Sequence, residues 1–138
     1  MLREADPPGP DIPAAVRAQP LRFRGPTAAA AARDVPEETA VALVHDAATT
    51  AVMMATPSDL AEFGLGFSLT EGIIAAPSEI RDIDVAPGPD GVEVRMWLSP
   101  RSSAAAAARR RRQAGPTGCG LCGVDSLAHA LRAPPVVG

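Results

Sequence analysis

The sequence contains one clear amphipathic helix, and the neighbouring segments can be assigned around it. Thr56 is a favourable N-cap, Pro57 suits the first helical position, and Asp59 places a carboxylate near the positive end of the helix dipole. Gly72 is typical of a C-terminal stop. One apolar face would hold Leu60, Phe63, Phe67 and Ile74, widened by Leu65, Leu69 and Ile73.

Two glycines lie inside this predicted helix, where each costs about 1 kcal/mol relative to alanine. Gly64 and Gly66 therefore predict a close approach between the helix backbone and a sheet. The strands of that sheet are predicted at residues 39–45, 51–55, 79–86 and 91–98, with turns at residues 46–49 and 87–91. Apolar and polar residues alternate in the last strand, which places Trp97 on its polar face.

The flanks of this region have a different composition. Residues 1–33 are rich in proline, alanine and arginine without periodicity, and we expect a disordered tail. Residues 101–113 favour a helix by propensity. The ordered region is predicted to be residues 34–132, and residues 133–138 are predicted to be a linker.

Composition and charge limit the size of the core and the classes of protein to which the chain can belong. Hydrophobic residues make up 46% of the 138 residues, but aromatic residues only 3%, and alanine buries little area, so the core must be small. A net charge of −3 is not typical of a nucleic-acid-binding protein. The sequence has no apolar run long enough to cross a membrane. Two cysteines without a wider disulfide framework suit a reducing cytoplasm.

Both cysteines lie in one glycine-rich segment. Cys119 and Cys122 are spaced C-x-x-C, and the interleaved glycines are Gly118, Gly120 and Gly123. Asp125 or Ser126 can cap a following helix, whose dipole would favour a thiolate just before it. The predicted fold is therefore α+β, with a small antiparallel sheet, a packed central helix and an exposed C-x-x-C loop between two further helices.

The residues alone leave four interpretations of the cysteine pair open. It can be structural, it can be half of a zinc site, it can be a thioredoxin-like redox pair, or it can be a sulfur-handling nucleophile on a loop. Zinc usually takes four ligands, and His45 and His129 are not in a ligand-spaced pair, so a zinc site would need a homodimer with four shared thiolates.

Four consecutive arginines, Arg109, Arg110, Arg111 and Arg112, precede this segment. They can be the solvated end of a helix, since cations suit the negative end of its dipole. They can equally be an anion clamp, because guanidinium groups pair with phosphate in a bidentate manner. A phosphate-bearing pterin cofactor or an acidic protein would fit such a clamp.

Residues 118–127, Gly-Cys-Gly-Leu-Cys-Gly-Val-Asp-Ser-Leu, resemble the signature of the FdhD family of sulfurtransferases that serve formate dehydrogenase. A second block, residues 41–44, 52–60 and 63–74, matches the family in order and spacing, and the resemblance covers residues 34–132. It implies that sulfur moves from a cysteine desulfurase to the molybdenum cofactor, in its molybdopterin guanine dinucleotide form, before insertion into formate dehydrogenase. The cofactor would be a substrate and not a permanently bound group.

The resemblance also implies roles for the cysteines. Cys119 would carry the persulfide and Cys122 would relay it or resolve it as a disulfide, although the dipole argument alone favours Cys122. Family members continue into a C-terminal part with an Asp-Val-Gly-Arg-His-Asn type motif, which does not occur before Gly138. The alternative expectation is therefore an inactive fragment of such a protein.

Overall fold

The computed structural model describes residues 12–110, 126–131 and 133. For residues 108–110 it describes only the backbone. The strands are β1 Ala15–Ala18, β2 Leu21–Arg24, β3 Thr27–Ala30, β4 Arg33–Pro36, β5 Thr39–His45, β6 Ala48–Ala55, β7 Ile80–Gly88 and β8 Gly91–Leu98. The helices are α1 Leu60–Thr70, α2 Pro100–Arg110 and α3 Leu127–Ala130, with a 3-10 turn at Pro77–Glu79.

The main sheet has four strands in the order β6-β5-β8-β7. Two antiparallel hairpins, β5–β6 and β7–β8, are joined by a parallel pairing of β5 with β8 that runs from Val41–Val92 to His45–Met96. The α+β class and the antiparallel hairpins are confirmed, and all four predicted strands are present. The parallel pair in the centre is an addition that local sequence patterns did not reveal.

Alternation along the strands gives the sheet two different faces. The inner face is formed by Val41 and Leu43 of β5 with Val92, Val94 and Met96 of β8, all of them nearly inaccessible to solvent. Leu60, Phe63 and Phe67 of α1 pack on this face, as the apolar pattern predicted. Trp97 lies on the opposite, outer face and is exposed, which confirms its predicted side.

Helix α1 begins later than the capping pattern predicted. Ser58 N–H donates to the Thr56 carbonyl at 2.8 Å, so residues 56–58 form a turn before the helix. Asp59 is the N-cap, with a left-handed backbone (φ 50°) and no side-chain capping bond. The predicted N-cap at Thr56, first helical position at Pro57 and third helical position at Asp59 were therefore wrong. The turn at residues 56–58 precedes the helix, so the helix begins only at Leu60. Gly72, with φ 63°, follows the C-cap as predicted.

The two glycines of α1 have different surroundings. A Cβ on Gly64 would lie 2.7 Å from Cγ1 of Val94 and 3.1 Å from Sδ of Met96, so the helix backbone rests directly on β8. A Cβ on Gly66 would meet no atom within 4 Å. Close packing is confirmed for Gly64 and wrong for Gly66.

A buried hydrogen-bonded chain also ties α1 to the sheet. Ser68 Oγ donates to the Gly64 carbonyl at 2.7 Å, so it accepts from Nε2 of His45 at 2.8 Å. Nδ1 of His45 lies 2.8 Å from Oγ1 of Thr50 and is then the acceptor. His45 is completely buried, and these bonds satisfy both ring nitrogens.

Residues 15–36 are not disordered, which corrects the prediction of an unstructured tail for the described part of residues 1–33. Strand β1 pairs with β4 and β2 with β3, and Ala31 N–H donates to the Pro20 carbonyl between the two ladders. Gly25, with φ 60°, makes the tip of this two-stranded ribbon. Most of its side chains face solvent, so no apolar periodicity was available to reveal it. The division into domains stays a prediction.

The start of α2 is fixed by a small polar network. Ser99 precedes the helix, and its Oγ accepts from Ser102 N–H at 3.4 Å. Ser102 is buried, and its hydroxyl donates to Oε2 of Glu79 at 2.6 Å. The same carboxylate oxygen accepts from the backbone N–H of Ala75 at 3.2 Å. The Ser102 and Ala75 hydrogen bonds, helped by the charge of Arg101, lower the pKa of Glu79 below its ordinary value of 4.5.

Gly64→Ala should destabilise the fold, and Gly66→Ala should stabilise it. Alanine gains up to about 1 kcal/mol of helix propensity at either site. At residue 64 the new methyl meets Val94, whose β-branched side chain has little rotamer freedom, so overpacking should leave a net loss of about 1–2 kcal/mol. Urea unfolding of the two variants beside the wild type measures both effects. Equal gains at the two positions would contradict the close contact.

Glu79→Gln should reduce the acid sensitivity of the fold. Because the folded-state pKa of Glu79 is lowered, its contribution to stability is present above pH 4.5 and is lost as pH falls through the lowered pKa. The variant should therefore be less stable than the wild type at pH 7, and the difference should shrink towards pH 3. Urea midpoints between pH 3 and pH 7 test this, with the exposed Glu38→Gln as control. A constant difference across that range would contradict the role of the charge.

Candidate functional site

The cysteine segment itself lies outside the described residues. This applies to Cys119 and Cys122, to Gly118, Gly120 and Gly123, and to Arg111 and Arg112. Arg109 and Arg110 belong to the last turn of α2, as predicted for the start of the arginine run, but only their backbone is described. The chemical roles of all these residues therefore stay predictions.

The two helices that flank the cysteine segment are anchored on opposite faces of the sheet. Ala106 of α2 is buried against Leu98, an inner-face residue of β8, and against Ile73 and Ile74, which follow α1. Helix α3 packs instead on the outer face, where Leu127 and Ala130 cover Ala42, Val44 and Val52. Residues 111–125 connect these two anchors.

Helix α3 begins with a side-chain cap. Ser126 has an extended backbone, and its Oγ accepts from His129 N–H at 3.2 Å. The predicted cap at Ser126 is confirmed, whereas Asp125 lies outside the described residues. Cys122 precedes Ser126 by four residues, so its Cα can be no farther than about 14 Å from that of Ser126. The surroundings of Ser126 are therefore within reach of Cys122.

A cleft of about 310 Å³ opens beside this cap. It is lined by residues 86–91 at the β7–β8 turn, by Glu93 and Arg95 of β8, and by residues 126–128. Among its lining residues, Gly91 has φ 135° and lies so close to the Ala40 carbonyl that a Cβ would overlap that oxygen. The turn can therefore approach β5 only because residue 91 is glycine.

Beside the cleft, the outer face of the β7–β8 hairpin carries a charged cluster with an exposed tryptophan. Arg95 pairs with Glu93, with Nη2 2.7 Å from Oε2, and more loosely with Asp84 at 3.8 Å. Asp82 lies opposite Trp97 in the strand register, and Trp97 is 42% exposed. The alternation in β8 predicted the side of these residues, but their grouping with Asp82 and Asp84 depends on register and was missed.

The described residues also bear on the expectations about a metal site and about a membrane-spanning segment. No group of three histidine, aspartate or glutamate side chains there is arranged to hold a metal ion. The zinc hypothesis depends on the cysteines and stays a prediction. Among the described helices, none is both long and apolar enough to span a bilayer.

Comparisons with known proteins agree on one family. Residues 36–137 match the model of the FdhD/NarQ family. The chain is 43% identical over 132 residues to the sulfur carrier protein FdhD of Bordetella petrii, covering 94% of this chain and 48% of that protein. It is 49% identical over 113 residues to the protein of the same name from Agrobacterium fabrum, covering 82% and 42%. The chain thus spans about half the length of these curated relatives.

A solved structure gives the same result for the fold. The crystal structure of a protein described as a formate dehydrogenase accessory protein, from Desulfotalea psychrophila, is similar with a TM-score of 0.55 and 28% sequence identity. The match covers 63% of this chain and 35% of that protein. Together with the family match over three quarters of the sequence, this leads to one conclusion: the chain belongs to the FdhD/NarQ family.

Proposed function

We propose that this chain accepts sulfur from a cysteine desulfurase on its C-x-x-C segment and passes it to the molybdenum cofactor used by formate dehydrogenase. The observation that carries the proposal is the presence of the glycine-interleaved cysteine pair in a chain whose relatives are named sulfur carrier proteins. The similar solved structure, described as a formate dehydrogenase accessory protein, supports the choice of client enzyme.

The first step is a thiol exchange without net oxidation. The thiolate of Cys119 attacks the terminal sulfur of the donor persulfide, the donor S–S bond breaks, and the donor cysteine leaves as a thiolate. The new S–S bond holds the transferred sulfur on Cys119. Both sides of the exchange contain one persulfide and one thiolate, so no external oxidant is required.

Cys122 then acts in one of two ways. As a relay, it attacks the terminal sulfur of the Cys119 persulfide and becomes the carrier. As a resolving thiol, it attacks the inner sulfur, forms a Cys119–Cys122 disulfide and releases hydrosulfide, after which a thiol reductant must restore the pair. The cap at Ser126 weakens the dipole argument for Cys122, because Cys122 lies four residues before the N-cap of a one-turn helix and dipole effects fade within a turn.

In the proposed function, the four consecutive arginines bind the molybdenum cofactor, which accepts the sulfur. The molybdenum cofactor in its guanine dinucleotide form carries phosphates, and arginine is well suited to bind them. The run begins with Arg109 and Arg110 in the last turn of α2, whose start is fixed by Ser99, Ser102 and Glu79. We propose that these arginines hold the cofactor as a substrate while sulfur is transferred.

Cys119→Ala should abolish sulfur loading, and Cys122→Ala should still permit it. The measurement is the intact mass of the chain after incubation with a cysteine desulfurase and L-cysteine. Cys122→Ala should gain the mass of at least one sulfur atom, as should the wild type when Cys122 acts as a relay, and a reductant should remove it. Loading of Cys119→Ala at the wild-type level would reverse the roles of the two cysteines.

Metal analysis of the same wild-type sample provides the control. One zinc ion per two chains, together with no sulfur gain, would contradict the sulfur-carrier proposal and support a zinc-bridged dimer.

A further inference from the structure

The outer face of the β7–β8 hairpin, formed by Asp82, Asp84, Glu93, Arg95 and Trp97, remains exposed to solvent beside α3, with only Glu93 partly covered. We propose that this face docks a basic segment of the protein that donates the sulfur. The inference rests on the proposed function and adds to it the surface by which the donor is recognised.

Exposure of Trp97 is the first supporting observation. It is the only tryptophan of the chain, and 42% of its surface remains accessible although its strand neighbours Met96 and Leu98 are buried. Tryptophan is enriched at the energetic centres of protein interfaces. Its ring also attracts lysine and arginine side chains through a cation–π interaction. An exposed tryptophan on a sheet face is therefore suited to a protein partner with basic residues.

Charge is the second observation. The residues that define this face include three carboxylates, from Asp82, Asp84 and Glu93, and one guanidinium, from Arg95, so together these residues carry a charge of −2. Arg95 is already paired with Glu93 at 2.7 Å and lies 3.8 Å from Asp84. Asp82 accepts only the N–H of the adjacent Ile83 among the described contacts. A basic partner is therefore attracted to this face, and complementary charge increases the rate of encounter.

Position is the third observation. Glu93 and Arg95 belong both to this face and to the cleft beside Ser126. Trp97 continues the same face about 7 Å farther along β8. Cys119, the proposed acceptor, precedes Ser126 by seven residues, so its Cα can be no farther than about 25 Å from that of Ser126, and a partner seated on this face can extend a loop along the cleft towards it.

The negative charge of this outer face also argues against the molybdenum cofactor as the molecule that binds to it. A phosphate-bearing dinucleotide would be repelled by Asp82 and Asp84, whereas the arginine run begins on α2, which packs on the inner face of the sheet. The protein donor and the anionic acceptor would then approach the cysteine segment from surfaces of opposite charge. This separation allows the donor to leave without competing for the cofactor site.

The test compares a protein donor with a small one. The full chain and its variants are loaded either by a purified cysteine desulfurase with L-cysteine or by glutathione persulfide, and sulfur uptake is followed by intact mass. Asp82→Lys combined with Asp84→Lys should slow loading by the desulfurase about tenfold. Trp97→Ala should weaken binding of the desulfurase about 30-fold, measured by calorimetry. Loading by glutathione persulfide should be unchanged in all of them.

Glu62→Lys is the matched control for charge. It makes the same change as Asp82→Lys alone, but Glu62 is exposed in the first turn of α1, which packs on the inner face. Asp82→Lys alone also keeps the ion pairs of Arg95, so it separates docking from any loss of folding. The urea midpoints of the variants check that each one is folded.

Each outcome of these experiments leads to a different conclusion. Wild-type rates and affinities in the Asp82, Asp84 and Trp97 variants would overturn the docking surface. An equal effect of Glu62→Lys would also overturn it, because net charge and not position would then be responsible. A change of oligomeric state in these variants, with unchanged desulfurase binding, would assign the face to a second copy of the chain and overturn the proposal. A wild type that neither donor loads would contradict the proposed function itself.

Discussion

Backbone pairing between β5 and β8 holds the structure together. Each of the two hairpins is a two-stranded ribbon, which is marginally stable in water by itself. The parallel ladder from Val41–Val92 to His45–Met96 joins them into one sheet with a continuous inner face. It is extended at one end by Asp46, whose N–H donates to the Met96 carbonyl and whose Oδ1 accepts from Leu98 N–H. At the other end it requires glycine at position 91, since Ala40 leaves no room for a Cβ.

The packing of the helices follows from that sheet. Helix α1 lies on the inner face and approaches so closely that Gly64 contacts Val94 and Met96. The buried chain of Thr50, His45 and Ser68 orients α1 at the same time, because each polar group would be costly to bury without its partner. His45 is therefore a structural residue. Helices α2 and α3 pack on opposite faces, and this arrangement places the ends of the cysteine segment on both sides of one sheet.

The proposed function calls for two different partners, a protein donor and an anionic acceptor, and the outer face is suited to the first of them. On the outer face, three carboxylates lie on the same hairpin surface as the exposed Trp97, and Glu93 and Arg95 of this surface line the cleft at Ser126. The arginine run begins on α2, which is anchored to the inner face. Under the proposed function, a protein donor and an anionic acceptor meet the chain in turn, and the carboxylates of the outer face favour the basic donor over the anionic acceptor. Family membership supports the carrier role, and the acidic character of the outer face comes from the pairing of β7 with β8.

Local patterns in the sequence were sufficient for the strands, for the inner face of β8 and for the apolar face of α1, because each depends on residues only two to four positions apart. The family resemblance likewise rested on short blocks around residues 52–74 and 118–127. The start of α1, the exposed ribbon of residues 15–36 and the different surroundings of Gly64 and Gly66 were not predictable in this way. The parallel β5–β8 pair and the grouping of Asp82, Asp84, Glu93 and Arg95 were decided only by the tertiary structure, since strand register is set by hydrogen bonds and packing between segments that are distant in sequence.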